Sequence, residues 1–170
     1  MRMLLGVVLL GTAACGAAPT GTPPVTPTAI VPSAPPTADL SKTTSKLCVV
    51  TPQEAVTAFG KQLTDFTTAD VTEAYCGYHV RASTAGGDDS LFLRPESGAT
   101  FASMKADGGI QPLTGVGDEA YVHDATATAV TLLLRKGGSF ERIEVYSPDL
   151  GRDGLVHIAT QVAGSALSRL

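Results

Sequence analysis

Residues 47–170 of the chain predict an α+β domain, an antiparallel sheet of about five strands with two or three helices packed on one face. Three observations carry that expectation. A short helix near the start has both of its stops written in the sequence, five later runs are rich in strand-forming residues and punctuated by glycines, and the segment closes on a one-sided apolar stripe. Such a stripe needs a sheet face to cover.

In chain order, "VVTPQEAVTAFG" after Cys48 reads as a complete short helix. Thr51 is its N-cap, Pro52 fits the first helical position, Glu54 closes a capping box and Gly60 supplies the left-handed stop. Its apolar face is Ala55, Val56 and Phe59. The run from Lys61 to Ala74 is ambiguous. "YCGYHVRAS" from Tyr75, a Gly86-Gly87-Asp88 turn and "SLFLR" read as a hairpin. "PESGATFASMKADGG" reads as a second, poorer helix ending at Gly108, with Phe101 and Met104 or Lys105 one turn apart. "EAYVHD", "TAVTLLLRK" and "SFERIEVYS" are strand candidates, the last two joined across Gly137-Gly138, and an antiparallel meander is their economical arrangement. In the closing helix Leu155, Ile158, Ala159, Val162, Ala163, Ala166 and Leu170 form the stripe, while His157, Gln161, Ser165 and Arg169 lie elsewhere. Asp153 is its expected cap.

Ahead of the domain, Leu4 to Leu10 is an apolar run between Arg2 and the small residues Gly11 to Ala14, the three zones of an export signal. It is too short to span a bilayer, which takes about 20 apolar residues. Thr12-Ala13-Ala14-Cys15 resembles the bacterial lipobox, whose cysteine receives a diacylglyceryl thioether and becomes the first residue of the mature chain. Thr12 departs from the aliphatic residue commonest there. The run from Gly16 to Lys46 holds Pro19, Pro23, Pro24, Pro27, Pro32, Pro35 and Pro36 among threonines and alanines, the composition of a disordered tether. The expected organisation is a lipoprotein signal peptide over 1–14, a lipidated Cys15 and Pro/Thr-rich tether over 15–46, and one globular domain over 47–170. With Cys15 taken by lipid, Cys48 and Cys76 remain as a pair, for which the default in an oxidising compartment is a disulfide.

The domain carries nine Lys and Arg against fifteen Asp and Glu, a net charge near −6, and the chain has no Trp. Its basic residues are scattered. Nucleic-acid binding and adhesion to anionic head groups are both disfavoured.

Several motifs resemble functional sites in part. "GVGDEA" at Gly115 to Ala120 matches a dinucleotide fingerprint, but a strand-like run follows it where a helix is required, so it reads as a turn with Asp118 bonding nearby amides. "DLGRDG" at Asp149 to Gly154 echoes a calcium loop, yet Gly151 and Thr160 stand where oxygen ligands belong. His79, His123 and His157 are too widely spaced for a metal motif, and no nucleophile elbow is present. An enzyme would need a histidine to converge with Asp88-Asp89 or Asp118-Glu119. No catalytic residue, metal or cofactor is expected.

Together the lipobox, the tether, "LCVVTPQEAVTAFG", the second cysteine in "YCGYHV", "GVGDEAYV" and the terminal amphipathic helix resemble small actinobacterial cell-envelope lipoproteins of a domain-of-unknown-function family. In those a C-x-L-x-T-P-x-E start, a C-x-W/Y strand and a G-x-G-D-E-A turn recur. The resemblance implies a Cys48–Cys76 disulfide and a lipid anchor on the extracytoplasmic face of the cell membrane, and it supplies no catalytic residues. Tyr78 stands where a tryptophan is frequent, a difference that bears on packing. Extracellular sensor domains of some actinobacterial receptor kinases look similar in build. The functional expectation is a non-enzymatic binding or sensor-like domain for a small molecule, a lipid or an envelope protein, using its sheet or a helix–sheet groove. The alternatives are an assembly accessory of an envelope complex and a hydrolase with a dispersed site.

Overall fold

The computed structural model of the chain describes residues 46–81 and 87–170. The segments expected to be a signal peptide and a tether up to residue 45, with Cys15, and Gly86 of the expected hairpin turn lie outside them. The described elements run in the order α1 (Pro52–Ala58), a 3-10 turn (Leu63–Asp65), β1 (Phe66–Val71), β2 (Cys76–Val80), β3 (Asp89–Pro95), α2 (Gly98–Ala106), β4 (Gln111–Pro112), β5 (Glu119–Ala125), β6 (Ala129–Lys136), β7 (Ser139–Tyr146) and α3 (Gly151–Ala166). The strands form one sheet in the order β1-β2-β3-β7-β6-β5-β4, with every neighbouring pair antiparallel.

The sheet therefore has seven strands among the described residues, where the sequence predicts about five. The two unforeseen strands have different causes. β1 comes from the ambiguous Lys61–Ala74 run, in which a bulge between Phe66 and Thr68 shifts the register and breaks the alternation that would mark a strand. β4 is two exposed residues held by backbone pairing with Tyr121 and Val122, so it has no side-chain pattern to read.

The helices also divide between the two faces, correcting the expectation that all pack on one. Alternation along the strands sends Leu91, Leu93, Leu132, Leu134, Ile143 and Val145 into one cluster with Val56 of α1 and Leu155, Ile158 and Val162 of α3. Each such side chain stabilises the fold by roughly 1.5–3 kcal/mol on burial. The stripe on α3 meets this face as its spacing predicts. α2 buries Phe101 alone, and Phe101 packs on Tyr121 and Phe140 at ring-centroid distances of 6.3 and 5.2 Å. Tyr121 and Phe140 stand out of phase with Ala120, Val122 and Ile143, so α2 covers one end of the opposite face. A helix with one large apolar anchor fills a gap under itself without joining the main core.

The local chemistry of the termini follows the sequence at α1 and departs from it at α3. Thr51 and Glu54 form the reciprocal capping box, and Gly60 leaves the helix at φ +69°. α3 starts at Gly151 with Leu150 as its cap and no side-chain cap bond. Asp153 falls instead inside the first turn, where its charge suits the positive end of the helix dipole.

Three contacts fasten the segment leading into α1. Cys48 and Cys76 are disulfide-bonded with Cα atoms 5.3 Å apart, tying the segment to β2. The fully buried Tyr78 donates its hydroxyl proton to the Val50 carbonyl, and burial raises that phenol above its ordinary range. Arg169, beyond α3, donates to the Val49 carbonyl at 2.9 Å and forks onto Glu54 at 2.8 and 2.9 Å. The phenol at position 78 thus supplies a bond to the chain as well as bulk.

The "GVGDEA" segment forms a turn that enters β5, as its context predicts. Gly117 has φ +63°, and a Cβ there would lie 2.5 Å from the Arg135 carbonyl oxygen. Asp118 accepts from the Gly137 amide at 2.6 Å, which fastens this turn to the β6–β7 hairpin rather than to neighbours in sequence.

Candidate ligand cleft

On β7 the two-residue period places Glu141 in phase with Ile143 and Val145, on the face that α1 and α3 cover, while Phe140 and Arg142 point the other way. Glu141 is only 3% exposed, and its Oε1 has no hydrogen-bond partner among the described residues. It forms part of the wall of an open cleft of about 280 Å³ between the ends of β3 and β7, the segment leading to Cys48 and the turn after α3. Lys46, Leu47, Glu96, Phe140, Arg169 and Leu170 line it as well. Burial, with a smaller contribution from the Glu96 carboxylate, pushes the Glu141 carboxyl up to about 8.

The charges around the cleft are otherwise matched. Arg142 pairs with Glu96 at 3.0 Å. Arg169 pairs with Glu54, and this bond first, with the Thr51 donors behind it, holds Glu54 down to about 2 against the opposing effect of burial. Lys46 is exposed on the rim. Among the described residues that line this cleft, Glu141 alone combines deep burial with an oxygen left over. A carboxyl raised this far is mostly protonated at neutral pH, and a counter-charge beside it would favour its ionisation.

At its β1-β2-β3 end, the face opposite α1 and α3 carries polar and aromatic side chains engaged with one another. Arg94 lies 4.6 Å above the Tyr75 ring and 5.8 Å from that of Phe92, and its Nε donates to Glu144 at 2.7 Å. His79 and Ser90 face each other across β2 and β3, with Nδ1 3.0 Å from Oγ. The sequence reading did not foresee that pair, because strand register alone creates it. In the same corner Asp88 accepts from Thr67 at 2.9 Å, while Asp89 is paired with Val80 on the other face, near Lys61 at 3.8 Å.

His79 thus shares a corner with Asp88, but the other histidines do not join it. His79 on β2 and His123 on β5 are separated by β3, β7 and β6, so about 19 Å of sheet lies between their backbones at one strand spacing per step. His157 is exposed on α3. Glu119 is engaged by Lys105 first, then by Tyr121 and Arg135, which together hold it down to about 2. No group of three His, Cys, Asp or Glu among the described residues is placed to hold a metal ion, and no helix there is long and apolar enough to cross a membrane. A larger depression of about 460 Å³ between α1 and α3 is lined by Gln53, Thr57, Gln161 and Ser165 beside Glu54, whose carboxylate Arg169 already occupies.

Sequence reasoning also missed Glu141, although its signal was present. In "SFERIEVYS" it is the carboxylate standing in the phase of Ile143 and Val145, where a covered strand places an apolar residue. No protein-family model, curated protein or solved structure gives a significant match to the chain.

Proposed function

We propose that the chain is a lipid-anchored extracytoplasmic binding or sensor-like domain, without enzymatic activity, that takes a small ligand into the Glu141 cleft. The observation that supports this reading most is Glu141 itself: it lines an open cleft, and its buried carboxyl has an oxygen without a hydrogen-bond partner among the described residues, which costs stability. At the β1-β2-β3 end of the opposite face Arg94, His79 and Asp88 already have partners, which favours the Glu141 cleft over binding across that part of the sheet. Cys15 is the proposed lipidation site, and the leader and tether composition support the envelope location.

The assembly-accessory reading calls for a concentrated apolar surface. Among the described residues only three large apolar side chains are exposed, Leu63, Tyr146 and Leu150, each 39–41% exposed. That favours the ligand-binding form. The test is native mass spectrometry of the full chain recovered from its host's envelope in mild detergent, followed by its denatured mass. The expected outcome is a stoichiometric small-molecule mass lost on denaturation, beside a covalent diacylglyceryl mass that remains on Cys15. A chain that retains only a second polypeptide, or nothing, sinks the binding reading.

A further inference from the structure

We infer that the Glu141 cleft binds the ammonium group of a small organic cation, with the Glu141 carboxylate as its counter-ion. The inference rests on the binding reading above and names the ligand's chemistry. Each other carboxylate bordering the site already has a cation: Arg142 holds Glu96 from β7, and Arg169 holds Glu54 of α1 from beyond α3. Glu141 has none, and its Oε1 is buried with no hydrogen-bond partner among the described residues. A ligand cation supplies what the fold withholds. Organic character follows from the walls, where Leu47, Val49, Pro95 and Leu170 offer apolar surface to an alkyl group.

A metal ion fits poorly, because Glu96 is committed to Arg142 and no third ligating side chain joins the two carboxylates. An anion would meet Lys46, but that side chain stands exposed on the rim, where water screens it, and the other cation lining the cleft, Arg169, is held by Glu54. The raised Glu141 carboxyl agrees with this geometry: pairing with an ammonium ion releases its proton and returns the group toward the ordinary range.

The test follows the Glu141 carboxyl carbon by NMR in the full chain while pH is varied, with propylammonium chloride, propanol or sodium butyrate added. Propylammonium is expected to lower the Glu141 midpoint by at least one pH unit, and its affinity to rise about tenfold for each unit between pH 5 and 7, because the empty site must give up a proton. Propanol is expected to leave the midpoint in place. Glu141→Gln is expected to weaken propylammonium binding at pH 8 by at least tenfold, and the wild-type midpoint shift stands on its own if that variant folds poorly. Preferential binding of butyrate, no response of the cleft to propylammonium, or unchanged binding by Glu141→Gln overturns the ammonium assignment. Butyrate or propanol bound in the cleft would leave the binding reading intact, whereas a cleft silent to all three together with a bare native mass would end both.

Discussion

Glu141 makes the stability of this fold depend on pH in an unusual direction. Its folded carboxyl is raised to about 8 from an ordinary 4.5, so the folded state holds a proton that the unfolded state has already lost at intermediate pH. Its contribution is fully favourable below about 4.5 and is lost as pH rises toward 8, at about 1.4 kcal/mol for each pH unit in that window. Glu141→Gln removes this dependence. The expected result in urea denaturation is a variant close to wild type at pH 5 and more stable than wild type by several kcal/mol at pH 8. Equal stability of the two proteins across the window would show that Glu141 is solvated in the fold. The position was legible in the sequence only through its phase with Ile143 and Val145; the cleft beside it was not, since residues 46–49, 95–96 and 169–170 meet there from three distant parts of the chain.

At the scale of elements, whatever was written in local chemistry was legible and whatever depended on distant pairing was not. The α1 capping box, the Gly60 stop and the β6–β7 hairpin follow from neighbours in sequence. β1 and β4 exist because partners across the sheet complete their backbone bonds, and α2 lies on the second face because Tyr121 and Phe140 wait there for Phe101. The Gly117 turn shows the same division. Its positive φ is a local property, but the closeness of the Arg135 carbonyl is not. Gly117→Ala is expected to destabilise the domain by roughly 2–4 kcal/mol, through both the left-handed backbone and the clash. Gly115→Ala shares only the positive φ, with nothing within 4 Å of its Cβ, and is expected to cost about 1 kcal/mol. Chemical denaturation of the two variants side by side measures the difference, and equal losses would mean that the contact with Arg135 relaxes freely.

Across the whole molecule, the disulfide is the long-range constraint that the sequence reading anticipated. It closes a loop with a sequence separation of 28, worth roughly 3–4 kcal/mol in the chain-entropy account. The Cys48→Ser/Cys76→Ser protein is expected to lose about that much in a urea titration. A loss below 1 kcal/mol would show that Tyr78 and Arg169 hold the leading segment without help.

The same bond decides how the domain meets mechanical load. A pull arriving along the chain at Lys46 reaches Cys48 within two residues and crosses through sulfur to Cys76, on a strand flanked by β1 on one side and β3 on the other. α1 and β1 lie between the two cysteines in sequence and are bypassed, so they bear little of the force and lend none of their length to extension. Unless the sulfur bridge is reduced first, tension is delivered into the sheet interior, where two ladders of backbone hydrogen bonds share it, and the helix at the edge of the load path stays folded.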